Sequence, residues 1–490
     1  MALAPFFDRV YGAVGGHLAV TRGTLHDVLA SVTAGVSCGA NPSINDLWCA
    51  EMAVNILARM YPRLAISAEE PHASTLRSLA VKINPSIEFA ASAPGATSIC
   101  VGSAHADGAL FPWAAGWVAH LNHSSGEREG ATNPYAAAAA AALACAELFR
   151  RVFLKGAEDR DTAVSLLKFD DRTGADLSLA EETVGDVAFV GVGAVGNAAL
   201  WALSRDAALQ GRLWLVDPEE LSLLNLQRYV LGYCDDVGIA KVSIGKREFA
   251  ITGLQIEAIQ LSLDQFAQER GGLDIHTLVI SLDNMEGRRA AQALLPRLIV
   301  NGWTGDRALG ASWHLFDRNA ACLACLYHPR GPGPSATEQA AKALGLSIER
   351  ASLLWVTRQP LLDADIQTAA STLGVAEAVL DPWRGKPLGD LYTDVVCGAV
   401  PLDLSGLGKV ETVPLAHQSA MAGILMAAEL VKRTQPQLAA LSQPEPLVSW
   451  DDVLGPPPGI WSKPMAREKG CLCGDPDYQK VYREKWLGAD

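Results

Sequence analysis

Three glycines in the run VAFVGVGAVG, namely Gly191, Gly193 and Gly196, follow an apolar stretch and open a helical one. In a Gly-x-Gly-x-x-Gly turn of this kind the backbone can approach a phosphate closely, and the helix N-terminus favours the anion. Asp217 ends the next apolar run, RLWLVD, and is suited to accept hydrogen bonds from a ribose. Alone, this pattern fits NAD, FAD or ATP equally. The cysteines carry a second kind of chemistry. Cys322-Leu-Ala-Cys325 and Cys471-Leu-Cys473 form two close pairs, and four thiolates would satisfy tetrahedral Zn²⁺. Cys38, Cys49, Cys100 and Cys145 are dispersed and read as core, Cys234 as incidental. The ten histidines form no metal set, and His417 reads as a helix-surface residue. No His-Glu-x-x-His run is present.

The elements that must hold these residues are legible. VAFVGVGAVG is a strand entering a glycine turn, NAALWALSRDAAL a helix, and RLWLVD a strand. This is a Rossmann-type unit. KVSIGKREFAITG reads as a helix, LQIEAIQL and TLVISLDN as strands, EGRRAAQALLPR as a helix and LIVNGW as a strand. Strands alternating with helices predict a mostly parallel, doubly wound α/β sheet. From Gly331 the pattern changes to short helices, a small insertion. PLAHQSAMAGILMAAELVKR is a long amphipathic helix, and the proline-rich tail after Gln443 should be extended up to the second Cys pair. The tail from Tyr478 to Asp490 suits either a surface helix or a docking segment for a partner.

The first 180 residues repeat this order in degenerate form. RLAISAEE resembles RLWLVDPE, TSICVGSA is placed like TLVISLDN, and AELFRR ends one helix as AELVKR ends another. The first copy's loop, GVSCGANPS, lacks the tight glycine spacing and the later Arg, Lys and Asp. A copy of this kind is expected to be structural.

Composition sets outer limits. The 490 residues give room for two to four domains. Forty Lys and Arg against 54 Asp and Glu leave a formal charge of −14. That sign argues against a nucleic-acid binder, whose affinity depends on neutralising phosphates. The alanine-rich stretch Tyr135–Leu148 ends in charge and reads as a packed helix, so no membrane span is expected. The N-terminus lacks the layout of a signal peptide, and ten cysteines are too few for a disulfide scaffold. These features predict a reduced, cytoplasmic protein.

The stretch after Asp217 narrows the choice of ligand. It continues Asn225-Leu-Gln227-Arg228, then Asp236-Val-Gly-Ile-Ala-Lys241-Val, then a strand ending in Asp283-Asn284. In order and spacing, residues 186–300 resemble the ThiF/MoeB family, the adenylation domains of ubiquitin-activating (E1-like) enzymes. One departure is Glu219, where the family has a second Asp. The resemblance implies ATP and Mg²⁺ as cofactors, bound at Gly191, Gly193, Gly196, Asp217, Asn225, Gln227, Arg228, Lys241, Asp283 and Asn284. Arg228 and Lys241 suit triphosphate oxygens, one as a planar fork and one as a point charge. Asp283 is a hard oxygen ligand suited to Mg²⁺. Asn225 would hydrogen-bond phosphate or hold Arg228.

The resemblance further implies that a protein's C-terminal carboxylate attacks the α-phosphate, giving an acyl-adenylate. Arg228, Lys241 and Asp283 would serve that step, and Cys397 in YTDVVCGAVPL would then capture the acyl group as a thioester. Structural Zn²⁺ at Cys322, Cys325, Cys471 and Cys473 is also implied, with the Cys-x-Cys spacing a departure from the family's second pair. An arginine from a partner domain often completes such sites, and no residue is singled out for it here.

The domain scheme that follows has five parts. Residues 1–180 form an inactive adenylation-like domain and 181–330 the active one. Residues 331–396 are a helical catalytic-cysteine insertion, 397–440 a crossover loop and return helix, and 441–490 the tail with the second Cys pair. The implied partners are a ubiquitin-like protein with an exposed C-terminal carboxylate and a conjugating (E2-like) enzyme. A homodimer would follow family habit, although an internal pseudo-dimer makes a monomer sufficient. The compact two-repeat layout looks like the activating enzymes of bacterial antiphage ubiquitin-like operons of the Bil type, a role in antiviral defence. Three alternatives stand: activation of a sulfur-carrier protein at the same site, a nicotinamide- or flavin-dependent oxidoreductase, and a non-catalytic scaffold that keeps ATP only as a structural ligand.

Overall fold

The computed structural model describes residues 4–18, 20, 22–125, 130–154, 160–249, 252–270, 275–316, 320–328, 336–392, 395, 413–455 and 460–488. Cys397 lies outside them. The chain divides into two compact units: Met1–Phe7 with Asp27–His328 and Pro414–Asp490, and Asp8–His26 with Pro329–Val413.

The larger unit contains two repeats whose strands follow the same order. In the first repeat, β1 (Ala34–Cys38), β2 (Arg63–Ser67), β3 (Glu88–Phe89) and β4 (Ser98–Val101) lie parallel in the order β3-β2-β1-β4. β5 (Phe111–Ala115), β6 (Val118–Asn122) and β7 (Thr162–Ser165) continue as an antiparallel run, joined to β4 through a parallel bridge from Ile99 to Leu110. The helix Pro134–Phe153 falls between β6 and β7.

The second repeat has β8 (Glu182–Val190), β9 (Leu209–Val216), β10 (Gly253–Ile259), β11 (Thr277–Ile280), β12 (Leu298–Thr304), β13 (Leu309–Leu315), β14 (Leu447–Trp450) and β15 (Ile460–Lys463). Their order is β10-β9-β8-β11-β12-β13-β14-β15, parallel through β12 and antiparallel after it. Here the helix Ala416–Thr434 falls between β13 and β14. In both repeats strand order reverses beside the first strand. The sequence patterns of the two halves thus correspond to one doubly wound plan carried out twice.

The helices explain how the halves join. Pro134 occupies the first turn of its helix behind an Asn133 cap, and the alanines after it are buried along their whole run. Small side chains let neighbouring helices approach closely. The return helix Ala416–Thr434 does so at Gly423, where an added Cβ would lie 2.3 Å from the carbonyl of Val195 on the helix Ala194–Leu203. His417, expected on a helix surface, is instead buried, its ring 5.6 Å from that of Phe149. The long apolar helix had to be covered, and His417 stands on the covered side.

Matching residues of the two repeats exchange contacts. Arg150 pairs with Glu147 at 2.5 Å and donates to the carbonyl of Leu454, just past β14. Lys432 pairs with Glu429 at 2.5 Å and donates to the carbonyl of Leu166, just past β7. These are the cations and acids of AELFRR and AELVKR. Each half thus satisfies a buried carbonyl of the other, as the two sides of an isologous interface do.

The tail ends in a helix packed through one face. The helix Pro476–Trp486 buries Tyr482 against Phe316, and Trp486 Nε1 donates to the carbonyl of Leu295 at 2.8 Å. The helix expected over 241–253 is shorter, Lys241–Arg247, because the chain must already enter β10 at Gly253. The smaller unit is helical, as expected of the insertion. Its helices Ala336–Leu344, Ile348–Thr357 and Asp363–Leu373 close a core of Leu344, Leu354, Ile366, Leu380 and Trp383. Arg350 clasps Asp365 with two bonds of 2.9 and 2.7 Å. Among the described residues, no helix is long and apolar enough to cross a membrane.

Candidate nucleotide site and cysteine centre

The glycine turn leaves β8 at the point where strand order reverses, between β9 and β11. In open parallel sheets that crevice, at the carboxyl ends of the strands, is where ligands bind. Gly191 has φ +91°, open to glycine without strain. A Cβ on Gly196 would sit 2.2 Å from the carbonyl oxygen of Gly191, so only glycine allows the helix to start this close to the strand. Gly193 caps the helix Ala194–Leu203 without a side-chain hydrogen bond. Its first N–H groups therefore remain for an anion.

The first repeat closes the same place. Ser43 caps the helix Ile44–Leu57, and Asp46 returns its carboxylate to the Ser43 N–H at 2.9 Å. A Cβ on Gly102, in the turn after β4, would lie 3.2 Å from the same carboxylate. A fixed negative charge sits where the second repeat has an uncapped turn.

Asp217 is buried, and its two oxygens accept the N–H groups of Val192 at 2.7 Å and Glu219 at 2.9 Å. It shapes the glycine turn from below. Burial pushes its carboxyl up, against the pull of nearby Lys241. Lys241 begins its helix, is almost fully buried, and pairs with Glu219. Its ammonium lies 5.4 Å from the centre of the Tyr229 ring. Burial works against its charge, but Tyr229, Glu219 and Asp217 together hold its pKa above the ordinary lysine value. The departure from the family pattern, Glu219, is thus the partner of Lys241. Tyr229 also borders the glycine turn, with its hydroxyl 3.7 Å from where a Gly193 Cβ would be.

Asn225 spends its side-chain oxygen on the Ser222 N–H at 3.0 Å, capping the short turn Leu223–Gln227. Gln227 is buried in that turn and Arg228, partly exposed, ends it. Asp283 is exposed just past β11, and Asn284 reaches its carboxylate at 3.2 Å. Asn284 also caps the helix Met285–Ala293, while Ser281 donates to the Gly191 carbonyl at 2.6 Å. The Asp283 turn and the glycine turn are therefore tied together. An exposed carboxylate beside an anion-favouring turn fits Mg²⁺, which takes one or two carboxylates plus phosphate oxygens.

Two residues of this region escaped the sequence reading. Arg288 is buried and donates to Asn301, to the Gly302 carbonyl at 3.0 Å and to the Tyr327 hydroxyl at 2.9 Å. Arg59, from the first repeat, reaches the loop that carries Arg228. For Arg288 the signal was Asn301, a polar residue inside the apolar strand LIVNGW that had to find a buried partner.

The second site is a cluster of four buried thiols. Sγ atoms of Cys322 and Cys325 are 3.9 Å apart, Cys322 and Cys471 3.6 Å, and Cys325 and Cys473 3.4 Å. A tetrahedron of sulfurs about zinc has edges of about 3.8 Å, whereas a disulfide needs about 2.05 Å. The four thiols fit a tetrahedral metal. The Cys-x-Cys spacing is accommodated by the tight turn Leu472–Gly474, which aims both sulfurs inward. The remaining described cysteines are different. Burial pushes the Cys38 and Cys100 thiols up to about 11 and raises those of Cys49 and Cys145 further. Cys234 is half-buried, also raised by burial, and donates to the Ile83 carbonyl at 3.2 Å.

Fold and motif set together resemble those of an E1-like adenylation domain of the ThiF/MoeB class. The chain itself belongs to the family of the uncharacterized protein y4jF of Sinorhizobium fredii, to which it is 34% identical over 515 residues, covering 99% of this chain and 98% of that one. Residues 36–154 match the family model of Prokaryotic E2 family C. Among solved structures, E. coli MccB with ATP aligns over 59% of this chain and 67% of its own at 16% identity and a TM-score of 0.36. E. coli MccB with MccA-N7isoASN aligns at 15% identity and a TM-score of 0.36, over 59% of this chain and 66% of its own, just under two thirds.

Proposed function

We propose that this protein uses ATP to activate the C-terminal carboxylate of a ubiquitin-like protein. The observation that carries the reading is the second repeat's switch point, where an uncapped glycine turn, a buried charged Lys241 and the exposed Asp283 are tied into one framework. That is a site for a metal-bound polyphosphate, and a nicotinamide or flavin ligand needs neither the second cation nor the exposed acid. Arg228 and Lys241 would bind phosphate oxygens and Asp283 would hold Mg²⁺, which offsets charge on the departing pyrophosphate. Gln227 and Asn284 complete the nucleotide-facing set. The carboxylate oxygen attacks the α-phosphorus, the bond to the bridging oxygen breaks, and pyrophosphate leaves. Such a transfer depends on positioning and on stabilising charge.

The thiolate of Cys397 then attacks the mixed anhydride, AMP leaves, and the thioester passes to a conjugating enzyme in the cytoplasm. A Bil-type antiviral role and a structural zinc at the four cysteines belong to the same proposal. The first repeat is the inactive partner, since its own Asp46 occupies the equivalent helix end. A second reading comes from the family model matched by residues 36–154, which suggests that the first repeat itself accepts the acyl group. Cys38 would be its thiol, but burial holds it protonated.

A nonreducing gel separates these readings. Wild type, Cys397→Ala and Cys38→Ala are incubated with Mg·ATP and a ubiquitin-like protein encoded beside this one. A thiol-sensitive band one modifier heavier, lost only in Cys397→Ala, is the expected result. Loss in Cys38→Ala alone would move the thioester to the first repeat. Pyrophosphate exchange without any such band would leave adenylation standing and favour the sulfur-carrier alternative.

A further inference from the structure

Arg59 stands on the turn after the helix Ile44–Leu57 of the first repeat and is 1% exposed. Its guanidinium donates to the carbonyls of Leu226 and of Gly232, the latter at 3.3 Å. It also donates through Nε and Nη2 to Asn55 Oδ1 at 3.1 and 2.9 Å. Asn55 in turn donates to the Val230 carbonyl at 2.7 Å. Three carbonyls across residues 226–232 are therefore held by one Arg–Asn pair from the other repeat. Arg228 lies in the middle of the stretch they hold.

Other bonds fix the same loop from the second repeat. The Leu231 N–H reaches Asn197 on the glycine-turn helix at 2.5 Å. Arg247, at the end of the Lys241 helix, donates to the Leu231 carbonyl at 3.1 Å and clasps Asp236 at 2.6 and 3.0 Å. The loop is thus pinned to both phosphate-facing helices and to the first repeat. A buried guanidinium bound to neutral acceptors is an expensive way to hold a loop. Apolar packing would give stability at less cost. What the guanidinium adds is a planar fork of donors that sets several carbonyls at once.

We propose that Arg59 is a positioning residue for the nucleotide site, through which the first repeat sets the place of Arg228 and hence the affinity for the polyphosphate. The first repeat binds no nucleotide of its own but holds in place the loop that meets one. This rests on the adenylation reading above.

The experiment measures Mg·ATP and AMP binding by calorimetry, and Tm, for wild type, Arg59→Met and Asn55→Ala. Tyr135→Phe is the control. It removes a 2.9 Å inter-repeat hydrogen bond to Asp206 that involves no residue of the loop. In Arg59→Met, ATP affinity should fall roughly ten- to hundredfold, the scale of one lost charge-assisted hydrogen bond. AMP, which lacks the outer phosphates, should shift by less than about threefold on the same scale. Arg59→Lys, which keeps charge but not the fork, should recover only part of the loss. If Arg59→Met does not fold, Asn55→Ala, which frees one side of the guanidinium, is compared in its place. Equal losses for ATP and AMP, or a lower Tm with unchanged ATP affinity as in Tyr135→Phe, would overturn the proposal. Wild type that fails to bind Mg·ATP would instead remove the adenylation reading itself, and this inference with it.

Discussion

Gly196 shows how much one hydrogen atom decides at the nucleotide turn. Any Cβ there meets the Gly191 carbonyl at 2.2 Å and the Ser281 hydroxyl at 2.7 Å. The first of these neighbours is backbone and cannot step aside. Gly196→Ala should therefore push the helix Ala194–Leu203 off the strand end and lower Mg·ATP affinity about a hundredfold or more. Unchanged affinity in a calorimetric titration would mean that this turn is not the phosphate cradle. The glycine pattern, Asp217 and the four cysteines were all readable, because their chemistry depends on residue type and short spacing. The roles of Asn225 and Asp217 within the loops were not. Both spend side-chain oxygens on backbone N–H groups, a choice that depends on where neighbouring backbone runs.

At the scale of elements, the tail illustrates how distant segments complete one centre. Cys322 and Cys325 sit at the helical turn Leu323–Leu326 after β13, and Cys471 and Cys473 bracket the start of a separate turn beyond β15. Packing of Tyr482 and Trp486 against Phe316 and Leu295, with Arg467 on the Ala320 carbonyl, brings the sulfurs together. Purified protein should carry one zinc per chain by atomic absorption. Cys473→Ser should lose the metal and lower Tm by more than about 5 °C, because binding free energy at such a site is folding free energy. Metal-free wild type with an unchanged Tm after chelation would remove zinc from the account. Pairing of the two Cys groups was an expectation in the sequence, and the turn that accommodates the short Cys-x-Cys spacing appeared only in the fold.

For the whole molecule, the joint between repeats depends on buried charge. Lys432 is fully buried, and burial lowers its pKa to about 8, against the opposing pull of Glu429. Below about pH 8 both folded and unfolded chains carry this proton. Between about pH 8 and the ordinary lysine value near 10.4 only the unfolded chain does, so stability should rise with pH across that window. Lys432→Met should be less stable at pH 7 by about 3–5 kcal/mol, since Glu429 and the Leu166 carbonyl lose a buried partner. In urea titrations the variant should also lack that part of the pH slope. A variant as stable as wild type would show that the reciprocal exchange contributes little to holding the halves together.

What the amino-acid order determined was local and periodic. Alternating strand and helix patterns, the glycine turn, the motif run from Asp217 to Asn284 and the echo of AELFRR in AELVKR were enough for the fold plan, its duplication and the class of site. Each depends on spacing along the chain, which sequence records directly. Tertiary structure decided the contacts between segments far apart. It placed His417 inside, gave Lys241 its partner in Glu219, and set Arg59 under a loop some 170 residues away. A side chain's partner in such cases is chosen by which backbone carbonyls and carboxylates must be satisfied once the helices of the two repeats are packed together. That choice exists only after the repeats have packed.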